Sequence, residues 1–295
     1  MPASSARQWR QTAATLAMFT LPWSASAEPF YGAELRYAHD DNLTLASQRA
    51  DRLDDHSIEG TVDAGMSLAL DHDDSIAVGA TLRGAAYARF ALLDATSLGA
   101  YATYRRKLGL GLTTPWVGAG LALSHDDSRD SIRDSDRAEL RASLGARLSE
   151  RLDVSGGYLH ERRLARRDDP DVPGISGALY DGSGDSGFAR LGYAITERVL
   201  VDASCRVRRG DIVATAPQSG PIFRASSAIA EDPAFGPDRY GYRLRATTVS
   251  ASVAVSYAVD DRSALNLAYT MDRSRAAAGL DYARHVISAA WVWRH

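Results

Sequence analysis

Apolar and polar residues alternate along most of the chain, in segments of roughly ten to fourteen residues that are separated by turn residues. In the clearest segment, 57–71, one side of the alternation holds Ile58, Val62, Ala64, Met66, Leu68 and Leu70. Successive side chains of a β-strand point to opposite faces, so a period of two predicts half-buried strands rather than helices. We predict about twelve strands, at 29–38, 57–71, 75–90, 96–107, 115–124, 135–149, 152–163, 187–196, 198–209, 242–259, 262–272 and 282–295.

The predicted connections alternate between short and long. The short turns are at 72–74, 108–114, 150–151, 196–197 and 260–261. The other connections are at 39–56, 91–95, 125–134, 164–186, 210–241 and 273–281. An outer-membrane barrel has tight turns at its periplasmic end and longer loops outside. We therefore predict an all-β fold, a transmembrane up-and-down antiparallel β-barrel with short periplasmic turns and long external loops.

A soluble β-sandwich is the main alternative to this barrel. Its strands are shorter, and its loops need not alternate in length. Strands with an apolar face can lie in lipid only when no sheet edge is left unpaired, and closure of the sheet achieves this. Aromatic residues near predicted strand ends, Trp116 and Trp291 among them, also suit the interfacial girdles of a membrane barrel. These features favour the barrel.

The N-terminal segment has the pattern of an export signal. Arg7 and Arg10 precede a short apolar run at 12–21, which Pro22 ends, and the small residues 25–27 form a cleavage pattern. We predict a cleaved signal peptide at 1–27, a barrel domain at 28–295 and location in the cell outer membrane.

Composition narrows the function classes. The chain has 295 residues, 45% of them hydrophobic, and a net charge of −3. Stretches of about 20 apolar residues do not recur, which excludes a polytopic helical membrane protein. A negative net charge gives no overall positive field, so nothing in the charge indicates a nucleic-acid-binding protein. The only cysteine, Cys205, excludes a disulfide framework and a cysteine-based zinc site.

The polar faces of the predicted strands are rich in arginine. Of the 34 basic residues only Lys107 is a lysine, and acidic residues concentrate in the loops. If the polar faces of the strands point into the barrel, the lumen is basic and attracts anions. The predicted lumen and solute-binding residues are Arg36, Arg83, Arg105, Arg137, Arg141, Arg190, Arg206, Arg208 and Arg245. The alternative is that inward arginines and acids pair across strands and plug a narrow bore.

The last strand resembles the C-terminal signal of Gram-negative outer-membrane barrels, which the insertion machinery recognises. Apolar and aromatic residues alternate toward the end of the chain. Members of this class usually end in Phe or Trp, and this chain ends in His. The resemblance assigns the membrane-insertion signal to Ile287, Ala289, Trp291, Trp293 and His295.

Two further resemblances suggest a porin. The opening segment 34–43 (ELRYAHDDNL) resembles that of porins linked to exopolysaccharide clusters and of the barrel of surface lipoprotein assembly modifiers. Twelve strands around an arginine-rich lumen also resemble the small oligogalacturonate and sialic-acid porins. These resemblances imply an outer-membrane, porin-like channel for anionic or polar solutes, acidic oligosaccharides among them. The partners would be outer-membrane lipid, lipopolysaccharide and the insertion machinery.

Two other classes of function stay open. One is a non-conducting barrel for structure, export or assembly, and the other is an outer-membrane enzyme that modifies lipid. A lipid-modifying barrel enzyme would need a histidine and a serine on one strand face, and His285 and Ser288 do not share a face. The segment Gly-Asp-Ser-Gly at 184–187 resembles the nucleophile motif of serine proteases, but we interpret it as part of a loop. We predict no catalytic residue, no metal and no cofactor. The long connection 210–241 contains apolar patches that would fold inward to constrict a pore, contact a partner or be mobile.

Overall fold

The computed structural model describes residues 27–295, which are built almost entirely of β-strands. One α-helix (Gly220–Ala225) and five single-turn 3-10 helices lie in the connections. The strands are β1 (Ala27–Asp40), β2 (Asp55–Ala69), β3 (Asp74–Tyr87), β4 (Ala95–Lys107), β5 (Trp116–Ser128), β6 (Ser135–Arg147), β7 (Leu152–Ala165), β8 (Gly182–Ala194), β9 (Val199–Pro217), β10 (Ala228–Glu231), β11 (Arg239–Ala258), β12 (Ser263–Ala276) and β13 (Asp281–Arg294).

The twelve long strands form a closed antiparallel barrel. Each pairs with its neighbours in chain order, and β13 pairs with β1 to close the sheet. The short strand β10 is not part of the wall, because β9 pairs directly with β11 and β10 lies along the outer end of β11. The predicted up-and-down barrel of twelve strands is confirmed. The predicted signal peptide at 1–27 lies almost wholly outside the described residues and stays a prediction.

The outer surface of the barrel carries an apolar belt. Large apolar side chains are exposed on the wall because they alternate with side chains that point into the bore. Examples from around the wall are Leu35, Val62, Leu82, Leu121, Leu140, Leu191, Val253, Leu267 and Ile287. Exposed apolar surface of this extent suits lipid, and the closed sheet satisfies the backbone polar groups there. In the range 27–295, no helix is long and apolar enough to span a membrane.

Two strands differ from the sequence prediction in a way that matters for function. β8 begins at Gly182 instead of 187, so the segment 184–187 lies in a strand, and its interpretation as a loop was wrong. β9 continues to Pro217, eight residues beyond its predicted end, and pairs with β11 over this whole length. β9 and β11 therefore extend past the rest of the barrel wall as a pair, which we call the β9–β11 hairpin.

The external connections pack together into a cap. Thr215 of the hairpin donates a backbone hydrogen bond to Thr44 of the first loop, and Ile229 of β10 donates one to Ser176. The ring centroids of Phe90 and Phe235 are 5.2 Å apart. An apolar cluster holds Ala214, Ile222, Ile229, Tyr242 and Leu244, with Leu45 and Leu280 packed against it. Connections from around the closed barrel can meet in this way only over its external mouth. We call this assembly of residues 41–54, 88–94, 129–134, 166–181, 210–245 and 277–280 the external cap.

Candidate functional site: an arginine-lined bore

Below the cap, the bore contains a cavity of about 680 Å³ whose wall is basic and rich in hydroxyl groups. Four arginines line it: Arg105 on β4, Arg141 on β6, Arg190 on β8 and Arg206 on β9. Hydroxyl groups come from Thr103, Ser143, Ser155, Ser204, Ser250, Ser252 and Thr270. The strand positions of these residues place the cavity from the middle of the barrel toward its periplasmic end.

Aromatic rings hold two of these guanidinium groups. The guanidinium carbon of Arg141 lies 4.5 Å from the ring centroid of Phe188, and that of Arg105 lies 4.4 Å from the centroid of Trp116. The negative face of an aromatic ring attracts a cation without neutralising its charge. These contacts therefore fix the two arginines while leaving them fully charged toward the cavity.

Charge in the cavity is only partly compensated. Arg190 forms an ion pair with Asp202 at 2.7 Å, and Asp272 also lines the wall. Over the range 27–295, Arg105, Arg141 and Arg206 form no ion pair with a carboxylate. Three uncompensated guanidinium groups therefore face one space, which favours an anion there.

Glycines position the aromatic rings. A Cβ atom added to Gly145 would lie 2.6 Å from the ring of Trp116, and one added to Gly157 would lie 2.9 Å from the ring of Phe188. Backbone is close as well, since the added Cβ at Gly145 would lie 2.8 Å from the Val154 oxygen and the one at Gly157 would lie nearest to the Ala142 oxygen. A side chain is therefore not tolerated at either position, and its absence leaves room for the ring. Trp116 was predicted for the interfacial girdle, and this was wrong, because the ring faces the bore and not the lipid.

Nearer the cap, the bore arginines are paired. Glu59 accepts hydrogen bonds from both Arg36 and Arg83. Arg137 bonds Asp126 at 3.2 Å. Arg208 lies 3.6 Å from Glu161 and donates to the backbone oxygen of Asp211. The predicted lumen residues thus divide into a paired group (Arg36, Arg83, Arg137 and Arg208) and a group at the open cavity (Arg105, Arg141, Arg190 and Arg206).

Arg245 lies elsewhere than predicted. It alternates on β11 with the buried Leu244 and Ala246, and its own side chain is exposed, 4.0 Å from Asp211. The assignment of Arg245 to the lumen was wrong, because the inward residues of β11 are the even-numbered ones, such as Ser250 and Ser252. An outward arginine is tolerated at this height because the hairpin has already left the apolar belt.

A buried ion-pair cluster holds the cap together. Arg133 donates to Asp130 at 2.6 Å and to both carboxylate oxygens of Asp232 at 2.7 and 2.9 Å, and Asp232 is completely buried. The hydroxyl of Thr215 donates to Asp232 as well. Burial raises the pKa of the nearby Tyr180 phenol to about 12, although the Arg133 charge opposes this shift, so Tyr180 is neutral at physiological pH.

The C-terminal strand has the predicted arrangement of side chains. Ile287, Ala289 and Trp291 are exposed on the outer wall, and the ring of Trp293 lies 5.5 Å from that of Tyr31. The ring of His295 stacks on Tyr31 at 4.6 Å, and its amide donates to the Tyr31 carbonyl oxygen at 2.9 Å. The terminal residue therefore takes part in closing the barrel. Recognition of these residues by insertion machinery stays a prediction.

The bore carries no sign of a metal centre in the part of the chain that the structure describes. No group of three histidine, cysteine, aspartate or glutamate side chains in residues 27–295 is arranged to hold a metal ion.

Comparison with known proteins relates the architecture to outer-membrane channels. The COG4313 outer membrane channel from Pseudomonas putida F1 superposes with a TM-score of 0.57 at 12% identity, over 93% of this chain and 97% of that one. The NanC porin superposes with a TM-score of 0.50 at 8% identity, over 88% of this chain and 98% of that one. No known family model and no curated protein sequence matches the chain. At these identities the likeness shows the fold, which is that of an outer-membrane β-barrel.

Proposed function

We propose that the protein is a passive channel of the outer membrane for small anionic solutes, with acidic saccharides as the solute class. The single observation that carries this proposal is the group of three uncompensated guanidiniums, Arg105, Arg141 and Arg206, around one cavity of about 680 Å³. The fold of the barrel, which it shares with known channels, supports the same interpretation.

The chemistry of the cavity suits a carboxylated sugar. Guanidinium groups form two parallel hydrogen bonds with a carboxylate, and they remain charged at every physiological pH. The surrounding serine and threonine hydroxyls both donate and accept hydrogen bonds, as sugar hydroxyl groups do. A volume of about 680 Å³ lies in the range of about 300–1,000 Å³ that is typical of small-molecule sites.

The external cap sets the condition for transport. Its loops pack against one another at the external mouth, and in this proposal part of the cap moves when a solute passes. We include the cap in the proposal as a gate above an anion-selective bore. The same packing favours a second candidate, a non-conducting barrel that serves a structural, export or assembly role.

Recording from planar bilayers tests the first candidate. The wild-type protein should pass current with a reversal potential that shows anion preference in a salt gradient. The double variant R141E/R206E changes the charge of the cavity by four units and should abolish or reverse that preference. Absence of conductance from folded protein, even when the cap is opened, would favour the non-conducting barrel instead.

A charge reversal outside the bore separates the effect of the cavity from that of the general charge of the protein. Arg245 is exposed on the outer surface above the belt, so R245E should leave the reversal potential unchanged. If R245E shifts the reversal potential as much per unit of charge as R141E/R206E, the cavity arginines are not the source of selectivity. Blocking of the current by galacturonate oligomers, but not by neutral oligosaccharides of the same length, would support acidic saccharides as the solute class.

A further inference from the structure

A second cluster of arginines lies on the outside of the barrel, where β9, β11 and β12 leave the apolar belt. A groove of about 540 Å³ runs there, and its lining includes Thr247, Val249, Arg273, Arg275 and Ala283. We call it the arginine groove. Arg52 from the first external loop completes the lining at the cap side.

Strand register brings additional charge to this groove. Thr247 is paired with Arg209 of β9 on one side and with Arg275 of β12 on the other. Arg245 lies two residues from Thr247 on the same face of β11. Side chains on one face of neighbouring paired strands are about 5 Å apart, so these arginines surround a common surface.

The positive charge of the groove is poorly compensated. Arg275 pairs with Asp281 at 3.0 Å, but both side chains are largely exposed, and such pairs are weak. Arg245 lies 4.0 Å from Asp211. Asp185 of β8 is opposite Arg209 in the register, but its carboxylate is bonded to Tyr158 and His160 instead. Among residues 27–295, neither Arg209 nor Arg273 forms an ion pair with a carboxylate. The Nε atom of Arg52 is shielded from solvent and has no hydrogen-bond partner within the described range. The groove therefore has unused donors and an excess of positive charge.

The position of the groove identifies its partner. Directly toward the periplasm, the same face of the wall consists of apolar side chains that belong to the lipid belt, among them Val207, Val249, Val253 and Leu267. A ligand that fits both surfaces has acyl chains below and anionic groups above. Phosphate suits clustered guanidiniums because it accepts paired hydrogen bonds and carries more than one negative charge.

We propose that the arginine groove binds the phosphorylated headgroup of an outer-leaflet glycolipid, with the acyl chains of that lipid lying on the valine and leucine surface below. The site is independent of the bore, and it holds whether or not the barrel conducts. A lipid bound there would anchor the long β9–β11 hairpin at the level where it bends into the cap.

Binding of lipid A to the full-length protein in detergent tests this site. Native mass spectrometry would measure the dissociation constant for lipid A with two phosphates and for the same lipid after removal of its phosphates. The variant R209S/R273S should bind the bisphosphorylated lipid at least tenfold more weakly, a difference of about 1.4 kcal/mol. Wild-type protein should show a similar preference for the phosphorylated over the dephosphorylated lipid.

Matched variants make the test specific. Arg162 and Arg166 also lie at the external rim, but they pair with Asp181 and Asp136. R162S/R166S removes the same charge and should leave lipid affinity within twofold of wild type. R209K/R273K keeps the positive charge but lacks the planar guanidinium groups, so its affinity for lipid A should be intermediate. Heat-modifiable electrophoretic mobility identifies variants that are folded, and only these are compared.

Three results would overturn the proposal. The first is equal weakening in R209S/R273S and R162S/R166S, which would mean that only the total charge matters. The second is the absence of a preference for the phosphorylated lipid. The third is displacement by inorganic phosphate at the concentration of lipid A itself, which would identify a site for free anions.

Discussion

At the scale of single residues, the properties of the cavity depend on which neighbour each arginine has. Arg36 and Arg141 both face the bore, yet Arg36 lies opposite Glu59, and Arg141 packs on Phe188. Alternation along a strand predicts the face of a side chain, and the structure places eight of the nine predicted lumen arginines on the inner face and Arg245 on the outer face. It does not predict the neighbours of a side chain, because these depend on the register between strands, as for Arg36 and Glu59, which are 23 residues apart in sequence.

Gly145 offers a direct test of the aromatic supports. In G145V, the new side chain would occupy the space of the Trp116 ring, which would have to leave its place under Arg105. Overpacking of this kind costs about 1–3 kcal/mol. The free energy of unfolding in urea should fall by that amount, and the tryptophan fluorescence spectrum should shift.

Gly84 provides the matched control for this substitution. It also lies inside a strand, but no atom lies within 4 Å of the position that a Cβ would take. G84V should change the free energy of unfolding by less than about 0.5 kcal/mol. Equal destabilisation by G84V and G145V would mean that valine is unfavourable in these strands generally and that the Trp116 contact has no special importance.

At the scale of elements, the barrel strands were predictable and the extended hairpin was not. Segments such as 135–147 have one face in lipid and one in the bore, so their alternation is regular. Residues 214–216 (Ala-Thr-Ala) and 228–230 (Ala-Ile-Ala) are each buried at three consecutive positions. A strand that is covered on both faces loses the alternating pattern. The prediction from sequence therefore ended β9 at residue 209 and did not include β10. Of the apolar patch in this connection, Ile222 is buried in the apolar cluster of the cap and Phe223 is exposed.

The ion pair between Arg133 and Asp232 should control whether the cap stays closed. D232A removes the acceptor of two guanidinium hydrogen bonds and of the Thr215 hydroxyl, and it leaves Arg133 with Asp130 alone. Loss of one partner from a buried pair costs about 3–5 kcal/mol. Because the contact joins two connections of the cap and not two barrel strands, we expect the cap to loosen while the barrel stays folded.

Limited proteolysis measures this loosening. Cleavage of folded protein between residues 218 and 238 should be at least tenfold faster in D232A than in wild type. The control is D171A, since Asp171 accepts a backbone hydrogen bond from Glu231 and lies 3.6 Å from Arg167, but it is exposed. A surface contact of this kind contributes at most about 1 kcal/mol, so cleavage of D171A should stay close to wild type. Cleavage of D232A at the wild-type rate would show that the apolar cluster alone closes the cap.

At the scale of the whole molecule, the residues that close the external mouth and the residues proposed to select anions lie in different regions. The cap lies over the external mouth and is held by Arg133, Asp232 and an apolar cluster. The uncompensated arginines lie from the middle of the barrel toward the periplasmic end. Of the three strands that carry them, β4, β6 and β9, only β9 also contributes residues to the cap. The paired arginines lie between the two regions, and the continuous sheet of the barrel holds both, so a change in one region should leave the other intact.

Combining the two sets of variants tests this separation. D232A should raise the fraction of time that the channel conducts and leave its anion preference unchanged, because Arg105, Arg141 and Arg206 keep their positions. The triple variant D232A/R141E/R206E should conduct as often as D232A but lose the preference, since only the sign of the cavity charge differs. Bilayer recordings of open fraction and reversal potential measure the two properties separately. If D232A alone abolished the anion preference, selectivity would belong to the paired arginines near the cap, and the open cavity would be only a passage beneath them.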